Sequence, residues 1–195
     1  MEKSHFSSFN FPFSIFILII ALIVNCGGSF LAGLLHVPLY LDSILTIGVV
    51  ALSGLVPGIL CALFSNLILA FFGYAALPFT LCHILTAVCA HLTFRHFRNK
   101  GEDFMTFEAF LWAGLWSGIS NGISGNIISD MLYASVTGVQ KADFMVKGIY
   151  IAIGNLTFAT YLTGIVENLC DKTVSAVLSF LFAQFFCKCK RRLGD

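Results

Sequence analysis

Two sets of residues in this chain have types suited to chemistry. The first is Gly122-Ile123-Ser124-Gly125, a serine set between glycines. A serine becomes a nucleophile only with a base, most often histidine, within hydrogen-bond reach. Where membrane serine proteases carry such a pattern, that histidine comes from a later helix. Here all five, His5, His36, His83, His91 and His96, precede Ser124. The second set is Cys82, His83, Cys89 and His91. Their spacing of seven and eight puts the pairs on neighbouring helical faces but nearly two turns apart. A metal ion needs ligands converging at about 2.0–2.3 Å, so this set does not close on one ion. There is no H-E-x-x-H, no P-loop and no dinucleotide fingerprint. Neither an enzyme nor a resident cofactor is expected.

The elements that carry these residues are set by an unusual composition. Of 195 residues, 58% are hydrophobic and only 11% charged, with 21 Phe, against roughly 45–50% and 25% in soluble domains. A chain of this length has no soluble core large enough for that surface, so the lipid bilayer is expected as its solvent. A net charge of +1 gives no basic field for nucleic acid. The seven Cys are scattered and read as small apolar packing residues. Residues 22–26, Leu-Ile-Val-Asn-Cys, loosely resemble a lipoprotein cleavage site, but Asn25 is a poor residue before such a Cys. The apolar run also continues to Leu35, long enough for a full span.

Apolar runs occur at Phe13–Leu35, Leu41–Val56, Gly58–Phe72, Pro78–Phe94, Phe104–Ile128, Phe144–Val166 and Thr173–Phe186. The second and third are short and joined by a tight turn, Ser53 to Gly58. Arg95, Arg98 and Lys100 form one basic cluster; Lys188, Lys190, Arg191 and Arg192 form another. Lys/Arg-rich flanks stay in the cytoplasm, so an even number of crossings must separate them. Three apolar runs lie between, so one does not cross. The preferred reading makes Asp171–Phe186 the sixth span, with 139–168 folded back at the outer side. The competing one makes 144–166 the sixth span and 173–186 an interfacial helix. Both give an all-α membrane protein, a six-transmembrane-helix bundle with both termini cytoplasmic. It forms one domain over 1–195, with a short N-terminus (1–12) and a basic tail (188–195).

Polar residues at membrane depth are costly and carry a functional hypothesis by default. The outer end gathers His36, Tyr40, Asp42 and Ser43; Tyr74, Thr80 and His83; and Ser120, Asn121, Ser124, Asn126, Ser129 and Asp130. Glu167, Asn168, Asp171 and Lys172 join them on the preferred topology. Together they suggest a polar cavity open to the outside; the plainer alternative is interfacial loops, with Asp42 and Asp171 as helix N-caps. On the fifth span, Gly114, Gly118 and Gly122 form one row of small residues, and Ala113, Ser117, Asn121, Gly125 and Ser129 a parallel one. Such rows predict close packing between helices of the chain. Trp112 and Trp116 share a face as anchors or packing residues.

Residues 34–92 resemble the substrate-binding S components of energy-coupling factor (ECF) transporters. The features shared are Leu41-Asp42-Ser43 opening the second span, the Gly54 to Gly58 turn, Asn66, Gly73-Tyr74, Pro78 and Arg95. Val136-Thr137-Gly138, Glu167 and Asp171-Lys172 also resemble an uncharacterised branch of these proteins, and the membrane-sensor halves of some bacterial signalling proteins. The resemblance implies a multi-pass protein of the bacterial cytoplasmic membrane that binds a vitamin or related micronutrient from outside. Its partners would be a transmembrane coupling subunit and cytoplasmic ATPase subunits. On the first span it implies a docking seam, for which Ala21, Gly28 and Ala32 are the nearest matches. Expected substrate-binding residues are Tyr40, Asp42, Asn66, His83, Asn121, Asn126, Asp130, Glu167 and Asp171. The alternative is a sensor that binds a small ligand without moving it. Only about eight residues follow the last run, which makes transport the first expectation.

Overall fold

The computed structural model describes residues 11–37, 39–73, 76–133 and 140–193. Within them all regular structure is helical: α1 (Phe11–Leu35), α2 (Thr46–Ser53), α3 (Leu55–Phe71), α4 (Thr80–Asn99), α5 (Phe107–Tyr133), α6 (Gln140–Ile153) and α7 (Leu156–Leu193). Tyr74 and Val136-Thr137-Gly138 lie outside the described residues.

Side-chain contacts fix the directions. Phe30 packs against Phe72, and Asn25 reaches Ser65, so α1 and α3 run the same way. Asn66 meets His83 and Cys82 meets Ser124, which makes α4 antiparallel to α3 and to α5. Gly114 faces Ala176 and Gly122 faces Ile165, so α7 runs antiparallel to α5. Helices α1, α3 and α5 thus point one way, and α2, α4 and α7 the other. At the end where α1 begins and α7 finishes, Phe16 packs on Phe186 and Gln184 donates to the carbonyl of Met105. Both basic clusters, on the last turns of α4 and α7, therefore lie at this same end.

The shortest helix sits at the axis. α2 touches α1, α3, α4, α5 and α7, and Thr46 through Leu52 are all buried. It turns into α3 at a single residue, Gly54, whose φ of +92° only glycine adopts freely. The sequence predicted a six-residue turn here; instead Pro57 sits in the first turn of α3, where its missing N–H costs nothing. Gly58 comes so close to Val50 that a Cβ would collide with it.

The last two apolar runs are organised differently from either expectation. α7 is one helix of 38 residues, about 57 Å long. Residues 166–173 do not interrupt it, so both versions of the sixth span divide a single element. The break falls earlier, at Gly154 (φ +75°), and Asn155 caps α7 by accepting the N–H of Phe158 at 3.0 Å. α6 packs against α7, whereas the preferred reading folds back the whole of 139–168. Residues 156–168 do not fold back; they begin α7 itself. Asp171 is accordingly mid-helix and not an N-cap, and Lys188 to Arg192 extend α7 instead of forming a separate tail.

The glycine row of α5 works as its spacing predicts. A Cβ at Gly114 would lie 2.8 Å from the carbonyl oxygen of Lys172, one at Gly118 would lie 2.9 Å from Leu169 Cα, and one at Gly122 would lie 2.7 Å from Ile165 Cα. At Gly125 the nearest atom is 3.9 Å away. Gly118→Val is therefore expected to force α5 and α7 apart and lower the thermal midpoint by roughly 5 °C or more. Gly125→Ala is expected to leave it unchanged or slightly raised. Thermal unfolding of both variants in detergent checks this.

Candidate functional site: a buried loop held between α1 and α7

Residues 41–45 lead into α2 outside any regular helix, and this stretch lies within the bundle instead of at its end. The carbonyl of Tyr40 lies beside Ser29, and Leu45 lies beside Asn25, ten residues back from the end of α1. Buried non-helical backbone must find partners outside itself. Side chains of α1 and α7 supply them. Ser29 donates to Tyr40 O at 3.1 Å, and Asn25 Oδ1 accepts Leu45 N–H at 2.9 Å. Asp171 Oδ1 accepts Leu41 N–H at 2.8 Å. Ser179 donates to Ile44 O at 2.8 Å and accepts Gly48 N–H at 2.9 Å. Leu41 is held in a left-handed conformation, φ +48°, at a cost of roughly 1–2 kcal/mol for a residue with a Cβ. Bonds on both sides of it keep it there.

Charges complete this attachment. Lys172 donates to Ser43 Oγ at 2.5 Å, to Asp171 Oδ2 at 2.6 Å and to Asp42 Oδ1 at 3.3 Å. Lys172 and Asp171 are buried, while the Asp42 side chain keeps 22% of its surface. Tyr40, itself 40% exposed, lies in the electrostatic field of Glu167, Asp171, Asp42 and Lys172.

Beneath the loop runs a chain of polar side chains across four helices. Asn25 Nδ2 lies 3.1 Å from Thr46 Oγ1 and also reaches Cys61 Sγ and Ser65 Oγ. Thr46 Oγ1 is 2.6 Å from His83 Nε2, and His83 Nδ1 is 3.4 Å from Asn66 Oδ1. His83 thus bridges Thr46 of α2 and Asn66 of α3, one on each ring nitrogen. Asn121 donates to Thr86 at 2.8 Å. Three groups in this region, Asn66 Nδ2, Asn121 Oδ1 and Ser175 Oγ, are buried without a hydrogen-bond partner among the described residues.

The expected binding residues fall into separate groups. Asp42 and Asp171 meet through Lys172, with Tyr40 and the buried Glu167 nearby. Asn66 and His83 belong to the polar chain below, and Asn121 faces α4. Asn126 and Asp130 are brought elsewhere. Asn126 donates to the Tyr161 carbonyl, and Asp130 accepts the Tyr161 hydroxyl, so both tie α5 to the start of α7. The expected docking residues face inward. Ala21 and Ala32 are 0% and 3% exposed, and a Cβ on Gly28 would strike Ile44 and the Leu41 carbonyl. Their surface is taken up by packing within the chain, which corrects the assignment of a seam to this face. Ser43 and Lys172 belong to the polar cavity read from the sequence, whereas Asn25, Ser29, Thr46 and Ser179 lie outside it. Asn25 in particular was legible as a polar residue in the middle of an apolar run.

The two sets of chemical type resolve simply. Ser124 Oγ contacts Cys82 Sγ and donates to the Ser120 carbonyl. Among the described residues no three His, Cys, Asp or Glu side chains are grouped to hold a metal ion. No family model, curated protein or solved structure matches the chain.

The two carboxylates do unequal work. Asp171 serves the loop backbone and the ammonium from a buried position, so Asp171→Ala is expected to cost roughly 3–5 kcal/mol. Asp42 makes a longer contact nearer solvent, and Asp42→Ala is expected to cost roughly 1 kcal/mol. Thermal or denaturant unfolding of the two variants in the same detergent compares them. Equal losses would sink this division of labour.

Proposed function

We propose that the chain is the membrane-embedded substrate-capture subunit of an ECF-type importer, a bundle crossing the bacterial cytoplasmic membrane six times. The observation that carries this reading is the inverted distribution of polarity. Asn25, Asn66, His83, Asn121, Asp171 and Lys172 are buried, while Phe16, Ile23, Leu34, Val56, Phe71, Leu92, Trp116 and Phe185 are more than half exposed. Water does not favour that arrangement; a lipid surround does.

Two helical stretches, Ser14–Leu35 and Leu156–Cys189, are long and apolar enough to cross a membrane, and Leu55–Phe71 is a shorter apolar helix. The remaining crossings are α2, shielded within the bundle, and α4 and α5, which carry much of the interior polar network. Both basic clusters lie at one end, as expected of a cytoplasmic face. The loop of residues 36–45 enters from the other. A vitamin or similar micronutrient arriving there meets Tyr40, the partly exposed Asp42 and then Glu167. Apolar contact area with a few fixed polar groups is the usual composition of such a site. The sequence has no nucleotide-binding motif, so ATP-driven uptake requires a coupling subunit and ATPases as partners.

A sensing role is the second reading, and the length of α7 favours it. At about 57 Å the helix outruns a hydrocarbon core of roughly 30 Å, as a helix passing a signal out of the membrane does.

Affinity purification of the full chain from native membranes tests the main reading. Stable recovery of an ATPase and a transmembrane coupling protein is the expected result; a chain that binds ligand yet never recruits them is a sensor. Crossing number is checked with Tyr150→Cys and Lys188→Cys in a background without native cysteines. A membrane-impermeant thiol reagent is expected to reach position 150 in intact cells and position 188 only after permeabilisation. Labelling of both from one side would refute six crossings.

A further inference from the structure

We propose that Lys172 is a built-in cation: its ammonium fills a monovalent-cation site made by the loop and α7, so the fold needs no alkali cation from solution. The donors around Nζ are all oxygens, Ser43 Oγ at 2.5 Å, Asp171 Oδ2 at 2.6 Å and Asp42 Oδ1 at 3.3 Å. Oxygen-only sets are the ligand class of hard cations. Membrane bundles with interrupted helices hold sodium at this kind of place, where irregular backbone lies at depth beside a half-helix. Here the irregular stretch is residues 41–45 leading into α2, and the occupant belongs to the chain.

The way Lys172 reaches the site supports a role as occupant and not as incidental partner. Neighbours in a helix point about 100° apart, and Lys172 follows Asp171 directly. The pair forms only because the long lysine stem folds back over the turn. Its backbone is held as well, the Lys172 carbonyl packing against Gly114 of α5. A fully buried oxygen is spare beside the cluster: Ser175 Oγ, one turn below Asp171 on the same face of α7, has no partner among the described residues. Without the stem, Asp42, Asp171, Ser43 and Ser175 remain as an oxygen-lined vacancy of formal charge −2. Such a vacancy takes up a small cation from solution or repels itself open.

The test uses the full chain in detergent and reads thermal unfolding in sodium chloride, methylammonium chloride and choline chloride at equal ionic strength. Choline is too large for the site. Wild type is expected to unfold at the same temperature in all three salts. Lys172→Ala is expected to unfold earlier in choline and to recover by roughly 5 °C in sodium or methylammonium. The double variant D42N/K172M, which removes one negative charge with the positive one, is expected to show no dependence on the cation. Two results overturn the proposal: a wild type stabilised by sodium over choline, or a Lys172→Ala variant indifferent to the salt. Should Lys172→Ala fail to accumulate, purification in sodium or methylammonium throughout decides. Folded protein obtained there and not in choline supports the proposal, and failure in all three salts, alongside a well-folded double variant, refutes it.

Discussion

The segment between α1 and α2 has four backbone groups, Tyr40 O, Leu41 N, Ile44 O and Leu45 N, that are satisfied by side chains of other helices, and Gly48 N in the first turn of α2 is a fifth. Leaving one of them unpaired costs roughly 1–3 kcal/mol, so the bundle is organised to prevent it. Ser29 and Asn25 sit a turn apart on α1 to meet the loop from one side. Asp171 and Ser179, eight residues and about two turns apart on α7, meet it from the other. The ion pair with Lys172 and the inward face of α1 both follow from this requirement. So does the close approach at Gly28, which lets the Leu41 carbonyl pass. The same residues that bear the most polar character are thus the ones that keep a short, irregular connection at depth.

That requirement also explains why hydropathy reads the helices unequally. α1 carries its polar groups singly, and α7 gathers its own at 167–172 between longer apolar stretches, so both still have the apolar length to cross a membrane. α4 and α5 carry His83, Thr86, Ser117 and Asn121 toward the interior, and α4 ends in the exposed Arg95, His96 and Arg98, both of which lower their mean hydropathy. α2 is apolar but only eight residues long, because the loop occupies the first half of its path. Its burial against five neighbours removes the need for length.

The sequence made much of this legible. Charge parity between the basic clusters required an even number of crossings, and the structure brings the two clusters to one end. The small-residue row on α5 announced its close partner, and the polar residues of α7 announced an interior role. Three features were not legible for physical reasons. The break between α6 and α7 depends on a left-handed conformation at Gly154 and the Asn155 cap, a local signal outweighed by the denser polar run at 167–172. Within that run Asp171 and Lys172 pair with each other, and both bind a loop some 130 residues away, which no local reading sees. The directions of Asn126 and Asp130 were equally hidden, since a helix face is settled only by its neighbour. They share α5 with Asn121, yet they turn toward Tyr161 on α7.

The uninterrupted course of α7 has a mechanical side. Lys172 and Lys188 are sixteen residues apart on one rigid rod, about 24 Å, and the row Gly114, Gly118 and Gly122 lays that rod against α5 with little side-chain padding. Such a contact resists bending but offers few ridges to oppose sliding or rolling. The loop bound at Asp171 and Lys172 and the basic residues of the last turns thus sit on one unbroken helix, and a shift of that helix along its axis moves both together.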